Sequence, residues 1–164
     1  MARERVAELG RIGRSLDDDL PKGTPFQDRF YRIEFHVNRD KRTVTALART
    51  GNYPSGKKPA AVGIAKAAPD DVFNADIGKA IAAERALGLT LTGAFVNAPK
   101  PEKAVPGAII RKVSGAHIGT TRIVDRTIMN GNAYVFTNGY NSEVKNCAVI
   151  DDTDADYEEG REAA

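Results

Sequence analysis

Val6, Leu9, Ile12 and Leu16 recur at three- and four-residue intervals, the spacing that lines up apolar side chains on one face of a helix. A short helix is expected over residues 3–16, although Gly10 and Gly13 each weaken it by about 1 kcal/mol relative to alanine. Asp17, Asp18 and Asp19 would face the negative end of the helix dipole, and Pro21 forbids continuation. From Phe30 the period changes to two. Tyr31, Ile33, Phe35 and Val37 fall on one face, with Phe30, Arg32, Glu34 and His36 on the other, the alternation of a half-buried strand. Asn38-Arg39-Asp40-Lys41 is rich in turn formers, and Arg42 to Ala48 resumes strand character, so a hairpin is expected. Gly51 to Pro59 is a loop by its glycines and prolines. Ala60 to Ala67 is a third strand, with Val62 and Ile64 on one face.

The next helix is expected over Asn74 to Leu87. Asn74 can cap it, and Asp76 suits the positive N-terminal end. Ile77, Ala80, Ile81 and Leu87 form its apolar stripe, and Gly88 supplies the residue that ends it. Glu84 falls inside that stripe and demands a partner. Val96 to Pro106 holds Pro99, Pro101 and Pro106 and reads as a stiff linker. Beyond it come short strands over Ile109–Val113, Arg122–Thr127, Ala133–Thr137 and Glu143–Ile150. Asn130-Gly131 and Asn138-Gly139 are hairpin signals, because both residue types accept positive φ. A compact β-barrel of four or five strands is expected.

Pro106-Gly107-Ala108-Ile109-Ile110-Arg111-Lys112-Val113-Ser114-Gly115-Ala116-His117-Ile118-Gly119-Thr120-Thr121-Arg122-Ile123-Val124 resembles a KOW motif in an SH3-like barrel. Gly115 and Gly119 have the family's glycine spacing, and Ile123 and Val124 fit its following strand. A third glycine, common in the family, is replaced by Thr121 or Arg122. The likeness covers about residues 105–150. Such barrels occur in ribosomal proteins and NusG-type transcription factors, where they contact RNA or protein. The resemblance implies a contact surface at the Ser114–Thr121 loop, with Arg111, Lys112, Arg122 and Arg126 supplying charge and His117 able to stack on a base.

The first half is similar in element order to a double-stranded-RNA-binding-like (dsRBD-like) domain, and Ala61–Lys66 with Ile77–Leu87 look like that fold's third strand and closing helix. Small actinobacterial and actinophage proteins of unknown function look similar in this region. The basic cluster that spans duplex phosphates in the true family is reduced here to Lys79, beside Asp70, Asp71 and Asp76. The expected fold class is therefore α+β: an N-terminal α-β-β-β-α, dsRBD-like domain over residues 1–95, a Pro-rich linker over 96–106, a KOW/SH3-like barrel over 107–150 and an acidic disordered tail over 151–164.

Charge changes the functional picture more than composition does. The 164 residues carry 24 Lys+Arg and 22 Asp+Glu, and 41% are hydrophobic, a globular composition. Residues 151–164, however, hold seven acids and one base, whereas residues 22–66 hold ten bases and three acids. A basic body attracts polyanions, and an acidic tail competes for the same surface. No apolar run approaches the roughly 20 residues that span a bilayer, and Met1 to Arg5 lacks the apolar run of a secretory signal. Cys147 has no cysteine to pair with, so a reducing compartment is expected, the cytoplasm of a bacterial or phage-infected cell. With only His36 and His117 beside it, a structural zinc site lacks ligands, and no phosphate-binding glycine loop with its lysine is present.

These features point to a non-enzymatic nucleic-acid-binding protein with no cofactor and no membrane partner, RNA or a ribonucleoprotein being the expected ligand. The candidate contacts are Arg39, Lys41, Arg42, Tyr53, Lys57, Lys58, Arg111, Lys112, His117 and Arg122. Tyr53, between Asn52 and Pro54 and followed by Lys57 and Lys58, gives its loop one ring and two ammonium groups to offer a strand. The alternatives are a phage-type accessory protein that binds a host or virion protein, and a structural or decoration subunit extended by edge pairing.

Overall fold

The computed structural model describes residues 1–14, 24, 26, 29–50 and 58–157. Asp17–Asp19, Pro21, Leu16, the loop 51–57 with Tyr53 and Lys57, and residues 158–164 lie outside them. The described residues form a mixed α+β chain of three α-helices and two antiparallel sheets, of three and five strands. It divides into two units: Met1–Ala67 with Ala75–Ala98, and Ala68–Asn74 with Pro99–Ala164. No described helix is long and apolar enough to cross a membrane.

In the first unit, α1 (Ala2–Ile12) precedes β1 (Tyr31–Asn38), β2 (Thr43–Thr50) and β3 (Ala61–Lys66), and α2 (Ala75–Leu87) and α3 (Gly93–Val96) follow. The sheet runs in the order β1-β2-β3. Leu9 and Ile12 of α1 are buried. Its end is tied to the sheet through Tyr31, whose amide donates to Gly13 O at 2.8 Å and whose hydroxyl donates to Leu9 O at 2.8 Å.

Cross-strand register decides which face of the sheet is covered. Phe35, Ala46 and Gly63 stand opposite one another, as do Val37, Val44 and Ala65, so each set shares a face. This is the face under α2. A Cβ on Gly63 would overlap the carbonyl oxygen of Ala82 and press on the amide of Ala86, so the helix backbone rests directly on β3. The buried face of α2 is accordingly made of small residues, Ala80, Ala82, Ala83 and Ala86, with Leu87. The expected stripe through Ile77 and Ile81 is only half-buried. Gly88 ends the helix at φ 70° as expected, with Leu89 N–H donating to Glu84 O at 2.9 Å.

Val62 and Ile64 share a face, as the alternation requires, but it is the outer one, where they are 50% and 52% exposed. Leu47 joins them, directly opposite Val62. Arg49 Nε lies 2.8 Å from Glu34 Oε2 on the same face; this hydrogen bond, followed in effect by charge from Arg49, Arg32 and His36, holds the Glu34 carboxyl below its ordinary range.

The second unit is a five-stranded sheet in the order β7-β6-β5-β4-β8. Its strands are β4 (Ile109–Lys112), β5 (Thr121–Ile128), β6 (Ala133–Phe136), β7 (Asn141–Glu143) and β8 (Cys147–Asp151). The single strand expected over Glu143–Ile150 is broken by a 3₁₀ turn at Val144–Asn146. The Asn130-Gly131 pair takes positive φ at both residues, 53° and 76°, whereas in Asn138-Gly139 only the glycine does, at φ 82°; its N–H closes a turn onto Phe136 O, and Asn138 keeps an ordinary negative φ. Ala104, Ala108, Ile110, Val124, Tyr134 and Phe136 make the core, with Val144, Cys147, Val149 and Ala155 packed against it.

The Pro-rich stretch joins this core: Ala104 N–H donates to the Tyr134 hydroxyl at 2.8 Å. The chain beyond β8 is also held, since Asp156 N–H donates to Pro106 O at 2.8 Å and the Tyr157 hydroxyl donates to Asp152 Oδ2 at 2.6 Å. Segment 68–74 belongs to this unit as well; Phe73 and Asp151 form a parallel bridge, and Asn74, expected as a helix cap, donates to Asp152 Oδ1 at 2.9 Å.

Candidate functional site

The inner faces of β4 and β5 build a cavity where the core ends. Ile110 stands opposite Arg122, and residues two apart on a strand share a face. Lys112 therefore continues the face of Ile110, and Arg122 continues that of Val124. Ile110 and Val124 are fully buried, whereas Lys112 and Arg122 are half-buried. The two cations thus occupy core-phase positions one step beyond the core, where water reaches them.

Lys112 and Arg122, with Ala116, His117, Thr120, Phe136, Tyr140 and Asn141, line a cavity of about 270 Å³. Phe136 belongs to the core and is 4% exposed; Tyr140 stands on the rim, 74% exposed. The Ser142 hydroxyl lies 2.7 Å from Lys112 Nζ, and Arg122 Nη1 donates to Thr121 O at 2.7 Å. Among the described residues no carboxylate lines the cavity and neither cation forms an ion pair. The lining combines positive charge, hydroxyl and amide groups and two aromatic rings, a set that holds an anion attached to a flat apolar group.

The backbone fixes the two loops of the rim. Lys112 N–H donates to Thr120 O at 2.9 Å and Gly119 N–H to Lys112 O at 2.8 Å. Gly119 closes this hairpin at φ 84°, with open space where a Cβ would stand. Between these bonds His117 takes φ 62°, and its carbonyl accepts from Thr120 Oγ1 at 2.8 Å. In the second loop Gly139 N–H donates to Phe136 O at 2.8 Å and Phe136 N–H to Tyr140 O at 2.9 Å.

Of the residues expected from the sequence to make contacts, the structure brings Lys112, His117 and Arg122 together. Arg111 is exposed on the other face of β4. Arg39, Lys41 and Arg42 form a separate cluster in the β1–β2 turn of the first unit, where Lys41 N–H donates to Asn38 Oδ1 at 2.8 Å and Arg42 O accepts from Ala67 N–H at 3.0 Å. Lys66, paired with Thr43, adds a fourth base at that end. Lys58 precedes the opposite end of β3, about 20 Å of strand away, so the described bases of residues 22–66 do not form one patch.

Asp76 at the start of α2 is shared by two cations, Arg3 and Lys79, the latter at 3.0 Å. Burial raises the Asp76 carboxyl, but these hydrogen bonds and charges outweigh it and hold the group below its ordinary range.

Phe136 and Tyr140 were not among the expected contacts. Phe136 reads as core, which it is, and Tyr140 follows an Asn-Gly turn that explains the local sequence without it. Their common signal is position: both bracket that turn, within reach of the cations across the sheet. Comparison with protein-family models, with curated proteins and with solved structures returned no match.

Proposed function

We propose that this chain is a non-enzymatic binding protein for polyanions, and in particular for RNA or a ribonucleoprotein. The observation that carries the reading is the cavity of the second unit: two cations unpaired with any described carboxylate, beside two aromatic rings, in a pocket that no acid among the described residues lines. Cationic ligands are repelled by this lining, whereas an anion joined to a planar ring, such as a phosphate on a base, matches it.

The finer fold reading goes with it. The second unit is proposed as an SH3-like, KOW-type barrel. Its support is the strand order, in which four consecutive strands form a meander and the fifth returns beside the first, with a 3₁₀ turn before the last strand. The first unit is proposed as a dsRBD-like fold, supported by its helix, three antiparallel strands and helix. There the β1–β2 turn offers Arg39, Lys41 and Arg42 to phosphates, while Asp76 occupies Arg3 and Lys79 at the helix start, which disfavours duplex binding by that end.

Fluorescence anisotropy against single-stranded RNA, duplex RNA and duplex DNA, at low and near-physiological salt, tests this function. Binding to one of them that persists at near-physiological salt is expected. Binding that vanishes uniformly with salt reduces the reading to generic charge attraction.

A second reading, docking of a host or virion protein, is favoured by the outer face of the first sheet, where Leu47, Val62 and Ile64 adjoin. The carbonyl of Ile64 on the edge strand accepts from Arg85 Nη1, which blunts the edge against strand addition and directs this reading to the face. A single stoichiometric partner recovered from extract after nuclease treatment would support it.

A further inference from the structure

We infer that the cavity of the second unit receives one unpaired nucleotide, the base against Tyr140 and Phe136 and its phosphate on Lys112 and Arg122, so that this unit binds single strands in preference to duplexes. The inference rests on the nucleic-acid reading above and names the form of the ligand.

Size is the first argument. A cavity of about 270 Å³ lies just below the roughly 300–1,000 Å³ of sites that enclose drug-sized molecules. It suits one base, and a base enters it only when free of its stack. In a duplex both faces of each base are covered by neighbours, and phosphates alone reach the rim.

The distribution of groups is the second. The apolar surface is at depth and on one wall, supplied by Phe136 and Tyr140, and the charge is on strands β4 and β5. A backbone-only ligand would use the cations and leave the exposed Tyr140 ring in water. A base with its phosphate uses both. Lys112 has three donors, of which the Ser142 hydroxyl takes one, and Arg122 has five, of which Thr121 O takes one. Donors therefore remain for a phosphate. Asn141 adds an amide able to give and accept at a base edge.

Preorganisation is the third. The Tyr140 backbone is fixed by its carbonyl bond from Phe136 N–H and by donation of its own amide to Asn138 Oδ1 at 3.2 Å, while its ring stays open to solvent. An aromatic ring presented on a hydrogen-bonded turn stacks without the cost of ordering a loop.

The test uses the full chain and two probes: a short fluorescein-labelled RNA of mixed sequence, and the same strand annealed to its complement, both at near-physiological salt. The single strand is expected to bind about fivefold or more tightly than the duplex, the lower bound for one base–aromatic stack. Tyr140→Ala should remove that difference and leave duplex affinity unchanged, and Tyr140→Phe should restore it. Equal binding of the two probes by the wild type overturns the inference, as does an equal loss on both probes in Tyr140→Ala; in either case nucleic-acid binding itself stands. Failure to bind either probe removes the function and the inference together.

Discussion

Nε of Arg5, in the first helix, lies 3.0 Å from Oε1 of Glu84, a carboxylate with no solvent exposure in the last turn of α2. Thr92 completes the cluster, donating from its amide to Oε2 at 2.9 Å and from its hydroxyl to Oε1 at 2.6 Å. The acid that interrupts the apolar stripe of α2 is thus the joint between α1, α2 and the segment leading into α3. A buried charge is tolerated only when paired and hydrogen-bonded, and here each carboxylate oxygen has a donor.

Replacing Glu84 with alanine leaves the half-buried Arg5 guanidinium with Glu8 alone as its carboxylate partner and strips Thr92 of its acceptor. A loss of about 3 kcal/mol of stability is expected, read as a lower urea midpoint. An unchanged midpoint would mean that the cluster orders α1 without stabilising the fold. Because Arg5 also pairs with Glu8 at 2.9 Å, Arg5→Ala removes both contacts, and Glu84→Gln, which keeps shape and hydrogen-bonding capacity, should cost less than Glu84→Ala.

Gly63→Ala should destabilise the first unit by about 1–3 kcal/mol or more, because its methyl would displace the backbone of α2. Val62→Thr and Ile64→Thr, on the outer face, should change the urea midpoint little. The contrast between neighbours on one strand is the check on which face the helix covers. Comparable losses at Gly63 and Ile64 would contradict it.

If Lys112 and Arg122 contact phosphates, each alanine replacement should lower the slope of log affinity against log salt by about one. Arg111→Ala, on the opposite face of β4, should change that slope less. The slopes come from anisotropy titrations over a salt series, and an equal effect of Arg111→Ala would move the contact surface off the cavity.

Tyr31 carries a pH dependence. Burial, opposed by the nearby charge of Arg5, pushes its phenol up to about 12 from the ordinary 10.0. The unfolded chain ionises near the ordinary value and the folded one higher, so the stabilisation is complete below pH 10 and is lost as pH rises through about 12. Denaturant midpoints measured across that window should fall more steeply for the wild type than for Tyr31→Phe. Parallel curves would show that Tyr31 does not couple to unfolding.

The alternations over Tyr31–Val37 and Thr43–Ala48 and the helical spacing of Leu9 and Ile12 were legible because period depends only on backbone geometry. The positive φ of Asn130-Gly131 was legible because it is a local steric property, whereas at Asn138-Gly139 only the glycine takes it. The split of Glu143–Ile150 into two short strands was not, since Val144-Lys145-Asn146 contains no glycine or proline to mark a break. Nor was the docking of Ala104, because a Pro-rich segment carries no sign of what it packs against.

The candidate site shows the same division. The sequence named Lys112 and Arg122 as charge beside the Ser114–Thr121 loop, and the strand pairing put them on the face of the buried Ile110 and Val124. The sequence also marked Glu84 as a charge needing a partner, and it located most of the strands and the two longer helices, though not the buried face of α2, which is lined by small alanines instead of Ile77 and Ile81. Only the tertiary structure decided that Arg5 and Thr92 meet Glu84, that the small side chains around Gly63 face the helix while Val62 and Ile64 face water, and that Tyr140 stands beside Lys112 and Arg122. The reason is physical: periodicity is written within a few residues, whereas register, covering and cavity shape arise between segments far apart in the chain, from how closely their surfaces pack.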